Sequence, residues 1–523
     1  FLESKFFREI YNKTDFKNTY LDEFLGDAYT IINPYTYLVA DYLAKSAGLS
    51  FSPSRIYYIP SHIRKDTVAD GSDIQDRLVN LINVPDINLR SNLYTTEDFL
   101  DSLQVSKNYM ADQNLYIRER IFDMWTGDWN KTNENWEWQS HTVNDSVIYT
   151  PIVIDRNHAF TKVDGVLFKQ MLKMLSLDFI CNYDSLILKD TKKINKLAFA
   201  LDMAVAGRSD ESVWIRQAQE IQRQMTDSLI DSAFTYLPEG VKHDEIELIK
   251  RKLKRRRLEL EAVASQYYRL LQRTPVVAGT NQSDYFLIER QAPDRTVLRI
   301  YDPETGDCRL EQQFSGKETK ELWLYGLAGN DTFEVKGNTR KDFPIYLISG
   351  EGENQYQLNH NRKIHVYDKD YKYDYQKIKY HKISFTPWGI YDSDKGISLG
   401  TFFTYTMYGF KRAPFTYQHR IGYNYLKGFM YAGIFPNYDD RRRLYLNASI
   451  SSPRNFENFF GFGNNTAGYK EEKKNYNRVK LRTYMFNPSF EMDLRKEEVM
   501  TFFGSLDMYK AKRTDDRYIY TVY

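Results

Sequence analysis

The chain has 523 residues, with 72 Lys+Arg against 70 Asp+Glu and a formal net charge of +2. At about 150 residues per domain this is three domains or so, and so even a charge balance argues against a dedicated nucleic-acid binder, which carries a strongly basic face. Two cysteines, Cys181 and Cys308, exclude a disulfide scaffold and a four-thiolate zinc site.

Aromatic residues make up 15% of the chain, with 42 Tyr and 32 Phe, yet the mean hydropathy is −0.60. No stretch approaches the roughly 18 consecutive apolar residues of a membrane helix, which excludes a helical membrane protein. A transmembrane β-barrel stays open, because its strands alternate lipid-facing and lumen-facing residues and are polar on average. The chain opens at Phe1 without an initiator Met, a basic n-region or an apolar h-region. No signal peptide is visible, and the sequence reads as a segment cut at both ends.

In chain order, residues 6–13 read as a short strand ending at Lys13. Apolar residues at helical spacing predict a helix over 34–49, with Gly48 as its C-cap, and a second amphipathic helix over 107–125. Residues 126–165 read as a loop-rich segment dense in Trp and Asn. The pattern over 166–273 is predominantly helical, ending in one long helix over 244–272 with a stripe of Ile246, Ile249, Leu253, Leu260, Ala264, Tyr267 and Leu271. The basic run from Arg251 to Arg257 reads as a solvated helix face paired with Glu245, Glu247, Glu259 and Glu261, not as a nucleic-acid patch.

After Thr274 the runs become short and β-rich. Leu324-Tyr325-Gly326 through Phe333 recurs 23 residues later as Leu347-Ile348-Ser349-Gly350 through Tyr356. This predicts two rungs of a β-roll with glycine at the corners. Calcium is not expected on them, since it needs six to eight oxygens and two imperfect rungs supply too few. From Ile383 onward the period becomes two. The alternation runs through 397–407, 417–425, 444–450, 478–485 and 500–508, with Tyr and Phe gathered toward the strand ends. Runs of 9–11 residues suit a tilted membrane strand better than a soluble one, which averages five or six.

Three segments carry a family resemblance: Asp392 to Gly400, Tyr408-Gly409-Phe410-Lys411, and Phe459-Phe460-Gly461-Phe462-Gly463-Asn464-Asn465-Thr466. Together they resemble the barrel start of BamA/TamA-type outer-membrane proteins, in the Bacteroidota form with a calcineurin-like metallophosphoesterase domain upstream. The likeness extends back through Lys317–Lys320, residues 253–268 and 151–160. It implies a periplasmic portion feeding an outer-membrane barrel with a role in envelope biogenesis: insertion or translocation of proteins, or support of an assembly complex. It also implies contact with outer-membrane lipid and with other outer-membrane or periplasmic proteins; the charge balance speaks against nucleic acid. The phosphoesterase is missing, as no Asp-x-His or Asn-His-Glu cluster is present. Residues 383–523 supply about seven or eight strands, roughly half of a sixteen-stranded barrel.

A second constellation is Gly127-Asp128-Trp129-Asn130-Lys131-Thr132-Asn133-Glu134-Asn135-Trp136, followed by Asp155-Arg156-Asn157-His158-Ala159-Phe160. It resembles the catalytic loop and metal-binding Asp of lipid-kinase-like and actin-fragmin-kinase-like folds, and family members carry Asp-Arg-His where this chain has Asn130-Lys131-Thr132. On that mapping Asn135 and Asp155 keep the Mg²⁺ positions and Lys13 pairs the phosphates. The base position is Asn130, and an amide does not accept a proton at neutral pH. Asp128, two residues away, is the alternative acid. The triplets Asp227-Ser228-Leu229 and Asp231-Ser232-Ala233 resemble periplasmic O-glycosylation sites of Bacteroidota.

The expected architecture is thus multidomain. An α+β, degenerate kinase-like domain spans 1–273, a β-roll 274–380, and the N-terminal half of an antiparallel outer-membrane β-barrel 381–523. No cofactor is expected under this reading. The alternatives are a membrane-anchored Mg-ATP-dependent kinase using Lys13, Asp128, Asn135 and Asp155, or a calcium-stabilised surface binding protein.

Overall fold

A computed structural model describes residues 33, 35–50, 54–61, 76–82, 92–163, 165–174, 177–241, 243–337, 342–359, 363–367, 373–409, 414–436, 441–462, 475–495, 498–514 and 516–522. The expected strand at 6–13, and Lys13 with it, lies outside them. The chain folds into two compact units, residues 1–169 with 178–375, and residues 170–177 with 376–523.

Among the described residues the first element of the first unit is helix α1 (Thr36–Ser46), beyond which Gly48 takes φ +64°. An antiparallel pair, β1 (Ser54–Ile59) and β2 (Arg77–Ile82), follows. A four-stranded sheet then combines β3 (Leu93–Tyr94), β4 (Tyr109–Ala111), β5 (Trp136–Val143) and β6 (Ser146–Val153) in the order β3-β5-β6-β4. The segment expected to be loop-rich therefore holds a β-hairpin. Its two-residue connection places Asn144 at φ +53°, the left-handed region that short hairpins favour and Asn tolerates.

Two helices frame that sheet, α2 (Thr96–Val105) and α3 (Gln113–Thr126). The expected helix over 107–125 begins later than its periodicity suggested, because Tyr109–Ala111 pairs with β6. Asp112 then starts α3 by accepting the Leu115 amide at 3.0 Å. Helix α3 is buried on nearly every side from Tyr116 to Thr126, Glu119, Arg120 and Asp123 included.

The helical layer comprises α4 (Phe199–Ala206), α5 (Glu211–Gln224), α6 (Asp227–Ala233), α7 (His243–Arg257) and α8 (Leu260–Leu271). The long helix read over 244–272 is two helices, broken at Leu258 and Glu259. Glu259 accepts the Ile187 amide at 3.0 Å. The stripe nevertheless does what its spacing indicates: Ile246, Leu253, Leu260, Ala264, Tyr267 and Leu271 are buried, and Ile249 is half-buried.

Residues 274–375 fold with these helices into the same unit. Strands β7 (Val276–Ala278), β11 (Leu322–Tyr325), β13 (Ile345–Ile348) and β15 (Ile364–Tyr367) form one parallel sheet. Strands β8 (Tyr285–Gln291), β12 (Thr332–Gly337) and β14 (Gln355–Leu358) form a second, which β9 (Arg295–Tyr301) and β10 (Cys308–Ser315) extend in antiparallel fashion. Leu324 lies opposite Leu347 and Thr332 opposite Gln355, so the 23-residue repeat is one rung of this roll. Its core includes Val277, Phe286, Leu298, Leu324, Phe333 and Leu347. At the corner, Asp284, Asp331 and Asn354 stack. The Asp284 amide donates to Asp331 Oδ1 at 2.8 Å, and the Asp331 amide to Asn354 Oδ1 at 2.9 Å. The acidic and amide side chains of the repeat thus bond between rungs.

Among the described residues the second unit holds a nine-stranded antiparallel sheet. Its strands are β16 (Lys382–Asp392), β17 (Gly396–Met407), β18 (Tyr417–Asn424), β19 (Gly428–Pro436), β20 (Arg442–Ile450), β21 (Phe456–Asn458), β22 (Arg478–Arg495), β23 (Glu498–Phe503) and β24 (Leu506–Lys512). Consecutive strands pair from β16 to β20, β20 pairs with β22, and β21, β23 and β24 all pair with β22. Among the described residues β16 has no second neighbour.

Directly opposed residues share a face. One row runs Phe385, Phe403, Ile421, Tyr431, Ala448, Phe486 and Leu506 across seven strands without a charge. An adjacent row runs Pro387, Thr401, Tyr423, Phe429, Ile450, Tyr484 and Met508. The opposite face carries Ser384, Thr404, Arg420, Ala432, Asn447 and Asn487 in one row. There Gln418 donates to Thr406 at 2.9 Å and Ser398 to Asn424 at 2.5 Å. The apolar face is open to solvent, with Phe403 55%, Ile421 57% and Leu506 69% exposed.

Candidate functional site

The Gly127–Trp136 segment leaves the C-terminus of α3. Gly127 adopts φ +78°, and a Cβ there would lie 2.7 Å from the Tyr183 ring. The last carbonyls of α3 are bound by Arg256, whose Nε donates to Trp125 O at 2.7 Å and whose Nη2 donates to Met124 O at 2.5 Å. Its Nη1 donates to Asp184 O at 2.8 Å, and the guanidinium lies 4.4 Å over the Tyr183 ring. A cation at a helix C-terminus satisfies both the orphan carbonyls and the dipole. The basic run around Arg256 is thus partly a solvated face, with Lys250 on Glu247 at 2.6 Å, and partly an internal staple.

From Gly127 the chain turns inward. Trp129 is buried and its indole donates to Thr161 Oγ1 at 3.0 Å, with the His158 ring packed edge-on 4.7 Å away. Lys131 is also fully buried. Its ammonium donates to Asp128 Oδ2 and, at 3.0 Å, to the Asp155 carbonyl, and stands 3.6 Å from Asp123 Oδ1. Asp123 in turn accepts from Arg120 at 2.7 Å, and Arg120 reaches Asp202 at 2.8 Å and Asn195 at 2.6 Å. Tyr116 and Tyr267 donate to the two oxygens of Asp202. The cluster is therefore a buried chain of alternating charges, from Asp202 through Arg120, Asp123 and Lys131 to Asp128. A parallel pair, Arg156 with Glu119 at 2.5 Å, is closed by Ser50, which donates to Glu119 through its amide and hydroxyl.

Burial sets the electrostatics. It pushes the Asp128 carboxyl up to about 6; Lys131 pulls the other way, while Asp123 and Asp155 add to the rise. Burial pulls the Lys131 ammonium down, but Asp123, Asp128 and Asp155 outweigh it and hold it above the ordinary lysine value. Burial drives His158 down to about 4, so its imidazole is neutral near pH 7.

The structure brings three of the four candidate residues to one end of the β5/β6 hairpin. Asn135 precedes β5, its carbonyl accepts the Ile154 amide at 3.0 Å, and Asp155 is the next residue. Asp128 is tied to the same place through Lys131. Lys13 lies outside the described residues. The Asn135 side chain closes a capping box, with its Oδ1 accepting the Thr132 amide at 2.8 Å and the Thr132 hydroxyl at 2.9 Å. Asn135 Oδ1 and Asp128 Oδ2 are thus both taken by protein donors. Among the described residues no three His, Cys, Asp or Glu converge as a metal-binding group. Asn130, at the position of the base, is buried.

Sequence reasoning did not find Lys131, Arg120 or Arg256 as organisers of this region. The available signal for Lys131 was its place beside Asp128 in a segment otherwise matched to a motif. For Arg120 and Asp123 it was charge on a helix that the apolar periodicity required to be buried.

The structure is a mixed α/β front unit followed by a large antiparallel sheet. Its similarity to solved structures is slight. A proinflammatory kinase of Helicobacter pylori, CtkA, aligns with 45% of this chain and 86% of its own at 15% identity and a TM-score of 0.27. HipA, from the Shewanella oneidensis MR-1 toxin–antitoxin complex of HipA, HipB and operator DNA, aligns with 45% of this chain and 57% of its own at 12% identity and a TM-score of 0.23. Likenesses of this size say nothing of activity. No protein-family profile and no curated protein matches the chain.

Proposed function

We propose that this chain is a membrane-embedded β-sheet protein of the outer-membrane type, with a non-catalytic front unit and a role in envelope biogenesis. The observation that carries this reading is the uncharged row from Phe385 to Leu506, repeated on seven strands and open to solvent. A sheet of a soluble protein buries such a face against another layer. A membrane strand turns it to lipid and keeps polar side chains opposite, as Arg420, Asn447 and Asn487 are here. The sheet is then part of a BamA/TamA-type barrel, and the front unit, with outer-membrane or periplasmic protein partners, is periplasmic.

The front unit supports a structural role. Lys131 neutralises Asp128, Asn135 Oδ1 is consumed by Thr132, and Asn130 stands where a base is needed. What remains is a buried ionic core in which Lys131 occupies one oxygen of Asp128, while Asp128 Oδ1 and Asp123 Oδ1 have no hydrogen-bond partner. Fractionation of producing cells, followed by electrophoresis with and without heating, tests the membrane reading. Recovery in the outer-membrane fraction with heat-modifiable mobility is expected. A soluble, heat-insensitive monomer refutes it.

A further inference from the structure

The apolar face does not end neutrally. On β22 the residues of that face are Phe490, Pro488, Phe486 and Tyr484, and at the same spacing of two they continue as Arg482 and Lys480. On β24 they are Leu506 and Met508, continuing as Lys510 and Lys512. The register sets Arg482 directly opposite Lys510 and Lys480 directly opposite Lys512. Four exposed cations therefore stand as two like-charge cross-strand pairs, immediately past an aromatic border. Like charges directly opposed destabilise a sheet. Among the described residues no carboxylate pairs with any of the four, although salt bridges form at the same end of the sheet, as Lys395 does with Glu457 at 3.0 Å. Arg482 instead lies 5.8 Å over the Tyr484 ring, and nearby Arg454 stacks 4.1 Å over Tyr425. Stacking of this kind leaves the guanidinium N–H groups facing outward.

We infer that Lys480, Arg482, Lys510 and Lys512 form a binding collar for the phosphate headgroups of an anionic membrane lipid. The occupant follows from continuity. The collar lies on the face that carries the acyl-facing residues, one and two residue pairs beyond the Tyr484–Met508 pair on the same two strands, at the position where interfacial side chains meet the headgroup layer. A phosphate between the opposed cations relieves their repulsion and accepts from the guanidinium fork. Nucleic acid is the less fitting polyanion, since the chain as a whole carries only +2. The inference rests on the membrane reading proposed above.

The test is co-flotation of the full chain with vesicles of phosphatidylcholine alone and of phosphatidylcholine with phosphatidylglycerol, over a salt series. Each cation near an anionic surface contributes about fivefold in affinity. Wild type is expected to prefer the anionic vesicles, and a variant with Lys480, Arg482, Lys510 and Lys512 all changed to Gln to lose at least about a hundredfold of that preference. A variant with the three lysines changed to Arg keeps the preference, which separates loss of charge from loss of folding. Excess inorganic phosphate leaves flotation in place. Flotation without preference for anionic vesicles overturns the collar and leaves the membrane reading standing. Failure to float with either vesicle overturns the membrane reading. Displacement by a single-stranded oligonucleotide, but not by anionic vesicles, overturns the lipid assignment.

Discussion

Replacing Asp331 with Asn should remove a pH dependence from the β-roll. Asp331 is fully buried at the corner of its rung; its Oδ1 accepts the Asp284 amide, and its Oδ2 has no hydrogen-bond partner. Burial pushes its carboxyl from the ordinary 3.8 up to about 7; the Asp284 amide and Lys107 oppose the rise, and the Asp284 carboxylate adds to it. The folded chain therefore holds a proton that the unfolded chain releases near pH 4. Stability contributed by that proton is present at acid pH, falls as the pH rises from about 4 to about 7, and is gone above it. A rise from 3.8 to about 7 corresponds to about 4 kcal/mol at most. Asn keeps the acceptor and replaces the orphan oxygen with a donor beside Asp284, and Asn354 already occupies this position one rung further on. Hydrogen exchange of residues 332–337, compared between pH 5 and pH 8, reads the local opening energy. Wild type is expected to lose protection with rising pH and Asp331→Asn to lose less. Parallel losses refute the reasoning.

Three further outcomes are expected. Changing Lys131 to Met leaves Asp128 buried without its cation and Asp123 with Arg120 alone, and should cost about 3–5 kcal/mol by chemical denaturation, so a cost well under 1 kcal/mol contradicts the ionic-core assignment. Changing Gly127 to Ala forces a left-handed Cβ against the Tyr183 ring; a loss of at least about 1–2 kcal/mol is expected, measured as a drop in Tm. Phe403→Lys places a charge in the middle of the uncharged row and should reduce recovery in the membrane fraction by the equivalent of about 2–4 kcal/mol, and undiminished recovery argues that this face meets no lipid.

Patterns that depend on neighbours in sequence were legible. The alternation over 397–407 and 478–485 became β17 and β22, and the 23-residue repeat placed Leu324 beside Leu347. The α8 stripe was readable from spacing alone. Features set by distant partners were not. The break at Leu258 and Glu259, where Glu259 accepts the distant Ile187 amide, is one that no periodicity in 244–272 encodes. The hairpin at Asn144 was hidden because Trp136 and Trp138 are buried by α2 and α3. The spacing singled out Asp128, Asn135 and Asp155, which the fold brings to one end of the β5/β6 hairpin. The cation that joins Asp128 to the Asp155 carbonyl, Lys131, was legible only as a departure from a motif, since its meaning depends on Asp123 one helix back.

The Arg256 staple has a consequence for the order of synthesis. Its bond to the Trp125 carbonyl spans 131 residues, and contacts so distant close late. A nascent chain exposes the Gly127–Trp136 segment long before the side chain that fastens its root has been made. Nascent chains stalled before residue 256 should show that segment open to protease, and those extended beyond α8 should show it protected.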